Sequence, residues 1–177
     1  LNFFKEKKTL KIINIARFTD QKDHLTLLKS FKIISKKINA KLLIVGYGPE
    51  KENIINFVNK NKLSKKIKIL DFQTNPYKYI KKSDILILSS KYEGLPNVLL
   101  EALSLKKFII SSNCPTGPKE ILDNGKYGFL FNVGDYIDLS KKIIKYSKSK
   151  NKYNKMCLLG FKSLNRFNYE KNLNKYY

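Results

Sequence analysis

Two short segments hold the residue types that chemistry on a charged, oxygen-rich ligand requires. One reads Arg17-Phe18-Thr19-Asp20-Gln21-Lys22 and places two cations in a single loop. The other reads Ser89-Ser90-Lys91-Tyr92-Glu93-Gly94-Leu95-Pro96-Asn97-Val98-Leu99-Leu100-Glu101, with one carboxylate in a loop and a second in the apolar run that follows. A diphosphate calls for cations and free backbone N–H groups, and Arg17, Lys22 and the amides of Asn97 and Val98 at a helix start supply both. Glu101, in the second turn of that helix, is placed to accept two hydrogen bonds from a diol such as ribose. Glu93 lies in the loop, nearer the sugar of a sugar nucleotide, where a carboxylate accepts from hydroxyls or stabilises a cationic transition state. Taken singly, each Glu is as readily a solvated loop or helix charge.

These segments need a scaffold that brings them together, and the hydrophobic pattern provides one. Apolar runs of strand length fall at 10–16, 41–45, 67–70, 85–89, 108–111 and 128–131. Segments with helical period intervene at 23–37, 50–61, 75–81, 97–105, 118–123 and 136–147. Strict alternation predicts an α/β fold, a doubly wound parallel sheet with helices on both faces. In a 3-2-1-4-5-6 order the ligand crevice opens between strands 1 and 4, whose following loops are the two segments above. Asp23 is the expected cap of the first helix. From about residue 148 the chain reads as a surface helix ending in a Tyr/Asn/Lys tail, and residues 1–177 form a single domain.

Composition narrows the chemistry. With one histidine, His24, a multi-histidine metal site is excluded and a Ser-His-Asp triad is disfavoured. Cys114 and Cys157 lack metal-type spacing and read as structural thiols in a reducing compartment. A net charge of +22 raises nucleic acid or an anionic membrane as partners. Arg17 and Arg166 are the only arginines, however, and the lysines are spread along the chain, so the charge reads as solvated surface with peripheral membrane contact as the second reading. A basic module that binds nucleic acid or membrane without catalysis is the alternative function. No run approaches the roughly 20 apolar residues of a membrane span, and no signal peptide is evident, so a cytoplasmic location is expected, with contact at the inner face of the membrane.

The pattern Glu93-Gly94-Leu95-Pro96 with Glu101 resembles the E-x7-E signature of the retaining glycosyltransferase family 4. Ala16-Arg17 through Lys22 resembles that family's G-R-x4-K-G loop, Val45-Gly46-Tyr47-Gly48-Pro49 its V-G-x-G-P turn, and Asp84 to Ser90 its A-D-x-x-x-x-P-S strand. Asn113-Cys114-Pro115-Thr116-Gly117-Pro118-Lys119-Glu120 is similar to a variant found in bacterial surface-polysaccharide transferases. The resemblance implies the Rossmann-like C-terminal half of a GT-B enzyme, with the acceptor held by a separate N-terminal domain absent from this chain. It implies a UDP-sugar donor, or second a GDP-sugar, transferred with retention to a lipid-linked or surface glycan, without a metal or other cofactor. Arg17 and Lys22 would hold the diphosphate, Glu101 the ribose, Glu93 with Gly94 the sugar, and the backbone near Asp71 and Phe72 the base. Glu93, Lys22 and Arg17 would act in catalysis; on its own this domain would bind nucleotide weakly and transfer little. Ala16 and Asp23 stand where the family has glycine.

Overall fold

The computed structural model describes residues 2–6 and 8–167. Six strands, β1 (Leu10–Ile15), β2 (Ala40–Val45), β3 (Ile67–Leu70), β4 (Ile85–Leu88), β5 (Phe108–Ser112) and β6 (Phe129–Phe131), form one sheet in the order β3-β2-β1-β4-β5-β6. Every pairing is parallel. The strands are near-continuous Ile, Leu and Val runs because both faces of a parallel sheet are covered. Alternate residues serve opposite cores: Ile12, Leu42, Ile44, Ile85, Ile87 and Ile110 face one cluster, Ile13, Leu43, Val45, Leu86, Leu88 and Ile109 the other.

The helices follow the same logic. On the first face, α1 (His24–Ile34) buries Leu27, Leu28, Phe31 and Ile34, α2 (Lys51–Lys60) buries Ile54 and Val58, and α6 (Tyr136–Lys148) buries Leu139, Ile143 and Tyr146. On the second face, α3 (Tyr77–Lys82), α4 (Asn97–Ser104) and α5 (Pro118–Ile121) contribute Ile80, Leu99, Ala102, Leu103 and Ile121. The order is the 3-2-1-4-5-6 considered above and reverses between β1 and β4, so the loops after both strands open at the carboxyl end of the switch point.

After residue 148 the chain forms a surface helix, as expected. A 3-10 turn at Lys150–Tyr153 leads into α7 (Asn154–Ser163), which docks along one buried edge and leaves Leu158, Leu159 and Phe161 exposed. Tyr153 packs with Phe108, Phe129 and Tyr146 at centroid separations of 5.1, 5.2 and 5.6 Å. Gly160 sits so close to α4 that a Cβ there would lie 2.7 Å from Leu103 Cδ2. A scatter of apolar residues among lysines hid this face, because its smallest member, Gly160, makes the contact. The expected tail lies outside the described residues.

Candidate functional site

The β1–α1 loop turns through a 3-10 segment, Asp20–Lys22, and enters α1 at Asp23. Asp23 sits in the left-handed region at φ 43°, a conformation Asp tolerates better than most residues, and its carboxylate accepts from the Thr26 amide at 3.1 Å. It thus holds a left-handed backbone, which glycine adopts most freely, and caps the helix as expected. Gly46 packs so closely on the Ala16 carbonyl that a Cβ on Gly46 would collide with it.

This loop is stitched to the β4–α4 loop. The Lys91 amide donates to the Gln21 carbonyl at 2.8 Å, Gln21 Nε2 to the Tyr92 carbonyl at 2.9 Å, and the Ser89 hydroxyl to the Lys22 carbonyl at 3.0 Å. At the centre, Lys22 Nζ lies 2.7 and 2.9 Å from the two carboxylate oxygens of Glu93, and the Ser90 hydroxyl donates to Glu93 Oε1 at 2.6 Å. The side chains of Lys22 and Glu93 retain only 15% and 7% of their exposure. The structure therefore brings Lys22 and Glu93 into one ion pair, where the residue types alone suggested two separate tasks.

A cleft of about 440 Å³, lined by neither Lys22 nor Glu93, opens at the carboxyl ends of β1 and β2. Arg17, Val98, Glu101 and Phe72 line it, together with Ala16, Tyr47, Gln73 and Thr74. Arg17 and Glu101 form no ion pair among the described residues, and burial raises the Glu101 carboxyl above its ordinary range. Asn97 and Val98 open α4 behind Pro96, so their amides have no intrahelical acceptor. Asn97 faces a neighbouring hollow that it shares with Glu101. Gly94 lies on the loop and is held from below by Gly117. The Asp71 carboxylate turns away from the cleft and meets Lys51 Nζ at 2.6 Å in an exposed pair.

Tyr47 is the residue that motif reading passed over. It stands between Gly46 and Gly48 at the carboxyl end of β2 and packs edge-on against Phe72, ring centroids 5.8 Å apart, with 55% and 62% of the two residues exposed. An exposed aromatic between glycines at the ligand end of a strand was the available signal. His24 is not part of this machinery. It opens α1 in a buried position against Phe18, burial drives its pKa down to about 4, and it is neutral at physiological pH. Burial likewise pushes the Cys114 thiol up, which disfavours the thiolate a nucleophile would need.

The sheet order, with helices on both faces, is that of a Rossmann-like α/β domain and matches GT-B glycosyltransferase structures. The chain belongs to the glycosyl transferases group 1 family, which its residues 2–157 match. An uncharacterized glycosyltransferase of Methanocaldococcus jannaschii is 44% identical over 138 residues, covering 77% of this chain and 32% of that protein. The N-acetylgalactosamine-N,N'-diacetylbacillosaminyl-diphospho-undecaprenol 4-alpha-N-acetylgalactosaminyltransferase of Campylobacter jejuni is 29% identical over 122 residues, 69% of this chain and 33% of that one. Among solved structures, a mutant of Staphylococcus aureus TarM in complex with fondaparinux, alpha-GlcNAc-glycerol and UDP shares the fold. Its TM-score is 0.88 at 22% identity, over 97% of this chain and 36% of that one. The chain spans about a third of the length of these curated relatives.

Proposed function

We propose that this chain is the donor-binding, C-terminal domain of a retaining family 4 glycosyltransferase that takes a UDP-sugar in preference to a GDP-sugar. The sugar goes to a lipid-linked or surface glycan held by a separate acceptor domain, at the inner face of the membrane, and nucleic acid is not a partner. The observation that carries this reading is the geometry at the switch point: Lys22 bridges the β1–α1 loop to Glu93, and Arg17 of the same loop lines a cleft with a partly buried Glu101 that has no ion pair among the described residues. The Campylobacter relative's diphospho-undecaprenol substrate and the UDP in the TarM complex agree with the acceptor and donor classes.

In this reading the base lies against Phe72 and Tyr47, the ribose diol donates to Glu101, and the diphosphate rests on Arg17, Lys22 and the Asn97 and Val98 amides. Gly94 and Glu93 face the sugar. As the bond between the anomeric carbon and the diphosphate oxygen breaks, its electron pair leaves with the diphosphate. Arg17 and Lys22 meet the charge that grows there, an electrostatic effect of about 3 kcal/mol for a well-placed donor. These cations and amides take the place a metal would fill.

Calorimetric titration with UDP, GDP and ADP at two salt concentrations, in parallel on Glu101→Ala, tests the proposal. Saturable binding of UDP that disappears in the variant supports it. If no nucleotide binds at millimolar concentration while heparin does, with strong salt dependence, the donor-domain reading fails and a basic binding module replaces it.

A further inference from the structure

Three groups outside the cleft converge on the segment that carries Glu93. The Ser90 hydroxyl donates to Glu93 Oε1 at 2.6 Å, and the Ser90 carbonyl is in turn fixed by the Ser112 hydroxyl at 2.6 Å, at the end of β5. The Thr116 hydroxyl donates to the backbone carbonyl of Glu93. Gly117, at φ 78°, packs against the Gly94 carbonyl and Pro96 so closely that a Cβ would lie 2.6 Å from Pro96 Cδ. The β5–α5 loop is thus a brace under the β4–α4 loop, and Gly117 is required both by its backbone conformation and by the space.

The brace has a directional consequence. A carboxylate offers about four acceptor directions. Oε1 of Glu93 already accepts from Ser90 and Lys22, whereas among the described residues Oε2 accepts only from Lys22, at the longer 2.9 Å. We infer that Ser90, Thr116 and Gly117 are positioning residues that lock Glu93 Oε1 and present Oε2 to a hydroxyl of the donor's sugar. This inference rests on the donor-domain reading, and it assigns to these three residues a selective effect on the sugar as opposed to the nucleotide. Of the three, Ser90 bonds the carboxylate itself, while Thr116 and Gly117 hold the height of the loop.

The test compares UDP with the tightest of UDP-glucose, UDP-N-acetylglucosamine and UDP-N-acetylgalactosamine by calorimetry on the whole chain. In Ser90→Ala the dissociation constant for UDP should stay within about two-fold, while the advantage of the sugar nucleotide over UDP shrinks by roughly ten-fold, the size expected when a hydrogen bond to a charged acceptor loses its alignment. Ser90→Thr, which keeps the hydroxyl, should restore that advantage, as should Thr116→Ser against a defective Thr116→Val. Equal weakening of UDP and UDP-sugar, or an unchanged ratio in both Ser90→Ala and Thr116→Val, overturns the inference. If the parent chain binds no nucleotide, the donor-domain reading fails by itself. The brace is then judged by amide exchange across residues 91–95, which should quicken in Thr116→Val, and unaltered exchange sinks it.

Discussion

On one side of the switch point Lys22, Glu93 and Ser90 satisfy one another at 2.6 to 2.9 Å in a nearly closed environment, and on the other Arg17, Glu101, Tyr47 and Phe72 face an open cleft. The first side is assembled by the fold: the hydrogen bonds that stitch two loops together also fix the charges. In the proposed function a ligand completes the second, where Glu101 has no ion pair among the described residues and two rings are exposed. The contrast separates residues whose loss should register in stability from those whose loss should register only in binding.

The largest effect is expected where the two coincide. Lys22→Met strands the Glu93 carboxylate with 7% exposure, and stability should fall by about 3 kcal/mol, the low end for breaking a buried pair because Lys22 itself keeps contact with solvent. Urea denaturation checks this. Adding Glu93→Gln removes the stranded charge and should recover most of the loss, without recovering nucleotide-sugar binding. Failure of the double variant to recover would mean that Lys22 matters to the fold for reasons other than its pair.

On the open side Glu101→Ala should leave the denaturation midpoint unchanged while weakening UDP binding by roughly a hundred-fold, the loss of two charge-assisted hydrogen bonds. Its titration gives a second handle. Burial raises the Glu101 carboxyl, so the folded chain holds this proton to higher pH than the unfolded chain does. That contribution favours the fold below the unfolded carboxylate range and is withdrawn as pH rises through the folded value. Glu101→Gln should therefore be at least as stable as the parent at neutral pH, with any gain fading in acid. A stability loss at neutral pH would place Glu101 on the structural side of the comparison.

Next in size are the exposed rings. Phe72→Ala or Tyr47→Ala should weaken UDP by roughly ten-fold each, from about 1 to 2 kcal/mol of base stacking, with no change in stability, since both are more than half exposed. Binding that is indifferent to both would move the base elsewhere in the cleft.

The sheet was legible in the sequence because a parallel strand covered on both faces leaves a mostly apolar run, and each of the six runs between 10 and 131 became a strand with its ends shifted by one residue at most. Arg17, Lys22, Glu93 and Glu101 were legible because the doubly wound rule names the two loops that face each other. Two things were not. The Lys22–Glu93 pair depends on rotamers and loop height, which spacing does not encode. The docking of α7 depends on Gly160 and Tyr153 finding Leu103 and Phe108, contacts far apart in sequence with no periodic signature.

The smallest effect is expected at an ion pair that resembles Lys22–Glu93 on paper. Lys91 Nζ lies 2.6 Å from Asp20, bridging the same two loops, yet Asp20 keeps 82% of its side-chain exposure. Water screens such a pair and competes for both partners, so its short distance says little about its worth. Lys91→Ala should leave both the denaturation midpoint and UDP affinity at the parent values, since the backbone bond from the Lys91 amide to the Gln21 carbonyl survives the substitution. If Lys91→Ala instead weakened UDP as much as Lys22→Met, the stitching of the loops as a whole, not the buried pair at its centre, would set the shape of the donor site.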